Sequence, residues 1–133
     1  MRILPLALVL AAVTAAPAQA ETAGATGWTL ISVGGDAAEP GGRIAFSADG
    51  AIFGTTGCNR FNGSAVSAPG LVTFRAPLAT TKMACPGALE AQEAKVLEAL
   101  DGAAAVAYDP VRDMMTLIPG SGAPVLGFAR AVE

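Results

Sequence analysis

The chain has 133 residues, 53% of them hydrophobic and 14% charged, with a formal net charge of −3 and no histidine. A mild acidic excess with singly scattered basic residues argues against nucleic acid or an anionic membrane as the main partner. The lack of histidine removes the commonest neutral-pH general base. It excludes Ser-His-Asp and Cys-His catalysis within the chain and leaves two cysteines short of a zinc site.

The first predicted element is a leader. In MRILPLALVLAAVTAAPAQA, Arg2 supplies a positive n-region, residues 3–16 a short apolar run, and Ala18-Gln19-Ala20 a small-x-small cleavage site. That is the pattern of a secretory signal peptide over residues 1–20, and the run is shorter than the roughly 20 apolar residues of a spanning helix. Glu21 follows the site, so lipoprotein processing is not indicated. Removal leaves 113 residues, seven basic and eleven acidic, a net charge of −4. This length suits one domain with a modest core, exported and without stable membrane insertion. Residues 21–26 are small and polar and read as a flexible start, with the folded domain over 27–133.

Short strands follow in chain order. Residues 28–33 alternate, with Trp28 and Leu30 on one face and Ile31 and Val33 on the other. A turn-rich loop at 34–42 leads to a strand at 43–46. Asp49-Gly50 marks a hairpin into a strand at 51–55. A weak strand at 64–67 and a clearer one at 71–75 continue the meander. The composition then changes. Residues 87–101 are rich in strong helix formers, with Leu89, Val96, Leu97 and Leu100 at helical spacing. Pro86 suits the first helical position and Gly102 the stop. Strands resume at 104–108, 114–118 and 124–129. The predicted fold is α+β: mostly antiparallel strands forming a curved sheet or open barrel, with one α-helix at about 87–101 that closes one side or end.

Few residues stand out as chemistry. Cys58 and Cys85 lie 27 positions apart, without C-x-x-C spacing. An exported chain meets an oxidising compartment, so a structural disulfide is one reading. Two free thiols are another, and a redox or nucleophilic thiol a third, with Cys85 just before a helix start. Asn62-Gly63-Ser64 fits a glycosylation acceptor, but Asn-Gly also favours a turn, and the turn is the reading taken. Asn59 is placed as a brace of the backbone in the same corner. Glu90, Glu93, Asp101, Asp109 and Asp113 are expected on solvated surface. Of Met114 and Met115, one is expected in the core.

Taken together, Trp28-Thr29-Leu30, Gly57-Cys58-Asn59-Arg60-Phe61-Asn62-Gly63, Thr80-Thr81-Lys82-Met83-Ala84-Cys85 and the terminal Val125-Leu126-Gly127-Phe128 resemble a META domain of the bacterial HslJ type. The resemblance covers about residues 27–129. It implies an α+β envelope domain in the bacterial periplasm or secreted, in a family linked to heat shock, novobiocin resistance and, in protozoan relatives, motility or virulence. It carries no enzymatic activity with it. The motif residues Gly57, Cys58, Asn59, Phe61, Gly63, Thr80, Met83, Ala84 and Cys85 are therefore taken as structural.

The expected function is a non-enzymatic, HslJ-like envelope protein of stress response or antibiotic tolerance. It would be a monomer, without cofactor or metal, with an unidentified envelope protein or small molecule as partner. The alternative is a small secreted module that inhibits an exported hydrolase through the 34–42 loop or the 57–63 corner. A thiol enzyme built on Cys58 or Cys85 is the third reading.

Overall fold

A computed structural model describes residues 26–131. The leader and most of the flexible start lie outside the described residues. Among the described residues, ten strands and one helix follow one another: β1 (Thr26–Val33), β2 (Asp36–Ala37), β3 (Gly42–Phe46), β4 (Ala51–Thr56), β5 (Arg60–Ala68), β6 (Leu71–Phe74), β7 (Ala79–Thr80), α1 (Gly87–Ala99), β8 (Gly102–Asp109), β9 (Met114–Pro119) and β10 (Leu126–Arg130).

Eight of the strands form a closed antiparallel barrel in the order β1-β3-β4-β5-β6-β8-β9-β10. The seam is the pairing of β1 with β10, in which Trp28 faces Arg130 and Val33 faces Leu126. The expected curved or open sheet is thus corrected to a closed one. Closure removes the two free edges that an open sheet would leave unpaired. The short strands β2 and β7 add to β1 and β5.

One register shift separates the sequence pattern from the structure. Strand β1 pairs Leu30 with Phe128 but Ser32 with Gly127, so a bulge falls at Ile31. The bulge returns Val33 to the inside, where it is buried with Trp28 and Leu30; strict alternation places it on the opposite face. Strand β5 also begins earlier than expected. Asn62 pairs with Phe53 and Gly63 with Ile52, so Asn62-Gly63 is mid-strand and not a turn. The reason Gly63 suits that place is steric: a Cβ there would lie 2.6 Å from the Leu78 Cδ2 atom.

Inward-facing residues fill the barrel. Ile44, Ile52, Leu117 and Leu126 are at most 1% exposed, and each such burial stabilises by about 1.5–3 kcal/mol relative to exposure. The helix adds Val96 and Ala99, and its C-cap residue Leu100, to the same core cluster. Pro86 is its N-cap residue, one place earlier than the first helical position assigned from sequence, and its carbonyl accepts from Leu89 and Glu90 N–H groups. Gly102 takes φ 73° just beyond the stop. Leu89 and Leu97 are only half-buried, while Gln92 is 6% exposed. The buried face of α1 therefore carries an amide in the middle of its apolar stripe.

Candidate functional site

Strands β4 and β5 are joined by residues 57–59, and this corner sits beneath α1. Gly57 opens it at φ 99°, a left-handed conformation that a Cβ disfavours. The Thr56 hydroxyl accepts from the N–H groups of Cys58 at 3.2 Å and Asn59 at 3.1 Å. It donates to Glu93 Oε1 at 3.1 Å. The other carboxylate oxygen, Oε2, accepts from Asn59 Nδ2 at 3.0 Å. Glu93 thus bridges both ends of the corner from the helix, against the expectation of a solvated acid.

Asn59 is 3% exposed and its amide is saturated. Oδ1 accepts from Thr81 Oγ1 at 2.9 Å and from the Met83 N–H at 2.6 Å. Nδ2 donates to the Met83 carbonyl at 3.2 Å as well as to Glu93. One place along the helix, Gln92 donates to the Thr56 carbonyl at 2.8 Å and accepts from the Glu39 N–H at 2.7 Å. A covalent link completes the latch: Cys58 and Cys85 form a disulfide with Cα atoms 5.9 Å apart.

Of the sequence-derived motif residues, Gly57, Cys58, Asn59, Met83 and Cys85 meet at this latch. Phe61 lies in the core at 3% exposure. Thr80 pairs with Phe61 across β5 and β7, but the polar work belongs to its neighbour Thr81, whose hydroxyl also accepts from the Arg60 N–H at 3.0 Å. Gly63 lies beneath Leu78. Ala84 is exposed. The residues missed from sequence are Thr56, Thr81, Gln92 and Glu93. A helix former such as Gln92 or Glu93 carries no local sign that it is aimed inward.

Beside the latch, the outer face of β3, β4 and β5 holds a shallow depression of about 710 Å³. Its lining includes Arg43, Phe53, Thr55, Arg60, Asn62 and Met83. Thr55 stands between the two arginines in one cross-strand row, paired with Arg43 on β3 and Arg60 on β5. Met83 is 60% and Phe53 45% exposed.

A second polar cluster lies on the seam. Arg130 Nε donates to Asp113 at 2.8 Å, and its guanidinium lies 4.5 Å from the Trp28 ring centroid. The Tyr108 hydroxyl donates to Asp113 at 2.7 Å. The hydrogen bond from Arg130, then that from Tyr108, hold the Asp113 carboxyl below its ordinary value. Among the described residues, no group of three or more Cys, Asp and Glu is placed to hold a metal ion. No helix there is long and apolar enough to cross a membrane.

Barrel, closing helix and disulfide latch define a small cross-linked antiparallel β-barrel domain. The profile of the META domain family matches residues 20–132, and the chain belongs to that family. A protein solved by NMR is similar at 26% identity and a TM-score of 0.64, over 79% of this chain and 88% of that one. Another NMR structure, of a protein from Burkholderia xenovorans, is similar at 27% identity and a TM-score of 0.58, over 81% of this chain and 83% of that one. No curated protein sequence matches.

Proposed function

We propose that this protein is a non-enzymatic domain of the bacterial envelope that acts, as a monomer, in stress response or antibiotic tolerance. The observation that supports the reading is the engagement of the motif's polar groups. The amide of Asn59 and the hydroxyl of Thr56 are satisfied within the fold, and both cysteines are bonded to each other. Such a corner serves architecture and leaves the outer surface for recognition. The disulfide supports export, since such bonds persist in oxidising compartments.

A deletion strain tests the role. Survival after heat and across a panel of envelope-acting antibiotics is expected to fall, and to return with the wild-type gene. Unchanged survival in every condition would sink the proposal.

The hydrolase-inhibitor reading draws support from one loop. Residues 34, 35 and 39–41 are exposed, whereas Cys58 and Asn59 are 9% and 3% exposed and have little to insert into a cleft. Capture of an exported hydrolase by the wild type, lost when residues 34–41 are scrambled, would favour it.

A further inference from the structure

The depression on β3, β4 and β5 combines three features. The first is unpaired positive charge. Among the described residues, the salt bridge present joins Arg130 to Asp113, and neither Arg43 nor Arg60 has a carboxylate partner. No acidic residue lines the depression, in a chain whose net charge is negative. The second is exposed apolar surface. Phe53 and Met83 are both large and both roughly half or more in water. Met83 holds the latch through its backbone alone, so its side chain has no part in the fold's closure. The third is a pair of neutral hydrogen-bonding groups: Thr55, between the two arginines, whose hydroxyl accepts from the Gly57 N–H at 3.1 Å and keeps its own proton to donate, and Asn62, across from Phe53 in the next cross-strand row.

We propose that this depression binds a small amphipathic organic anion: one carboxylate, sulfonate or phosphate head on a flat apolar body. The head lies at the Arg43–Thr55–Arg60 row, where a guanidinium can pair with two anion oxygens at once. Adjacent strands are about 4.8 Å apart, so arginines on β3 and β5 stand on either side of a head held over β4. The Arg43 guanidinium lies toward β1, with Nη2 3.6 Å from where a Gly27 Cβ would stand, so this exposed side chain must turn across β3 to reach the head. The body lies against Phe53 and the Met83 thioether, a soft surface that adapts to aromatic rings. A volume of about 710 Å³ is in the range of small-molecule sites.

The barrel favours a small molecule over an extended peptide. Strand addition needs an open sheet edge, and β4 is paired on both sides, with β3 and with β5. The inference stands apart from the envelope role, because it is read on purified protein and that role on cell survival.

The test is an NMR titration of the 15N-labelled protein with naphthalene-2-carboxylate, beside the neutral 2-naphthalenemethanol, inorganic phosphate and an acidic peptide. Saturable shifts are expected at the amides of Gly54, Thr55, Arg60, Asn62 and Met83, with the neutral analogue and phosphate each at least about tenfold weaker. Arg43→Gln with Arg60→Gln is expected to weaken the carboxylate by about tenfold or more, and Met83→Ala to weaken it with little effect on phosphate. The arginines and Met83 are exposed, so these variants keep the fold. Shifts that scatter or fail to saturate would overturn the proposal. So would an equally tight neutral analogue, an acidic peptide that binds the same amides more tightly, or a double variant with wild-type affinity.

Discussion

Asn59 and Met83 pair through one side-chain amide and one peptide unit: the Asn59 Oδ1 atom accepts the Met83 N–H at 2.6 Å while Nδ2 donates to the Met83 carbonyl at 3.2 Å. The amide thus replaces a strand partner for a segment outside β7. Because Asn59 is also bonded to Glu93 on α1, one residue ties the β4–β5 corner, the segment before Cys85 and the helix together. Asn59→Ala leaves several buried partners unsatisfied, and a loss of about 3 kcal/mol in urea unfolding is expected.

Asn59→Asp refines that expectation. The shape is kept, but the donor facing Glu93 and the Met83 carbonyl becomes an acceptor. The new carboxyl meets a like charge, which raises its folded pKa above the unfolded value. The destabilisation is therefore largest at neutral pH and shrinks as pH falls through that raised pKa. Urea midpoints from pH 7 to pH 4, compared with the wild type, check it; a gap that widens toward acid would contradict the assignment.

The disulfide acts on the same connection by another route. Cross-linking positions 27 apart stabilises by about 3–4 kcal/mol in the chain-entropy account, through the unfolded state. Asn59 acts in the folded state. The two nevertheless touch, since the Asn59 amide lies 3.4 Å from Cys58 Sγ, so their effects couple. The loss from Cys58→Ser/Cys85→Ser in the Asn59→Ala variant is expected to differ from its loss in the wild-type chain by more than about 0.5 kcal/mol, and equal losses would contradict that coupling. A markedly larger loss in the Asn59→Ala variant would mean that the bond acts by holding the native corner.

The chain's periodicity exposed the strand meander, the helix and the corner, and its paired cysteines exposed a candidate cross-link. Barrel closure was not legible, because the β1–β10 pairing joins the two ends of the described chain and no local pattern encodes it. The bulge at Ile31 hid the inward aim of Val33 for a related reason: alternation assumes an unbroken ladder. Asn62-Gly63 carries a strong turn signal that tertiary pairing overrides, since both residues face β4 partners. At the latch, Cys58 and Asn59 stood out, whereas Thr56, Gln92 and Glu93 did not. Their roles depend on α1 crossing the corner, which is a long-range fact.

Asp113 offers a pH signature on the seam. It sits at φ 53°, a region that Asp tolerates better than most residues. Its carboxyl is held low first by Arg130 and then by Tyr108. A depressed folded pKa contributes stability above the unfolded value, lost as pH falls through the folded one. Carbon NMR of the carboxyl is expected to titrate below 3.8 and to move up in Arg130→Gln. Asp113→Asn, which keeps the left-handed turn, is expected to lose less stability between pH 5 and the acid end than the wild type. An unchanged titration in Arg130→Gln would refute the ion pair as the cause.

Gly57 and Gly63 belong to one motif but differ in what forbids a side chain. At Gly57 the backbone itself is at φ 99°, and a Cβ would meet Gln92 Nε2 at 3.1 Å and Leu89 Cδ2 at 3.2 Å. Gln92 cannot retreat without loosening its bonds to Thr56 and Glu39. At Gly63 the strand conformation is ordinary, and the obstacle is the Cδ2 end of half-buried Leu78, which can rotate away. Gly57→Ala is therefore expected to destabilise by about 2–3 kcal/mol, strain and crowding together. Gly63→Ala should fall at about 1 kcal/mol or less, because the lost packing of Leu78 is partly offset by the lower entropy of the unfolded chain. Paired unfolding curves decide it. If Gly63→Ala proved the more damaging, Leu78 would have to be a fixed part of the β5–β7 contact, and the corner at Gly57 would be the softer of the two.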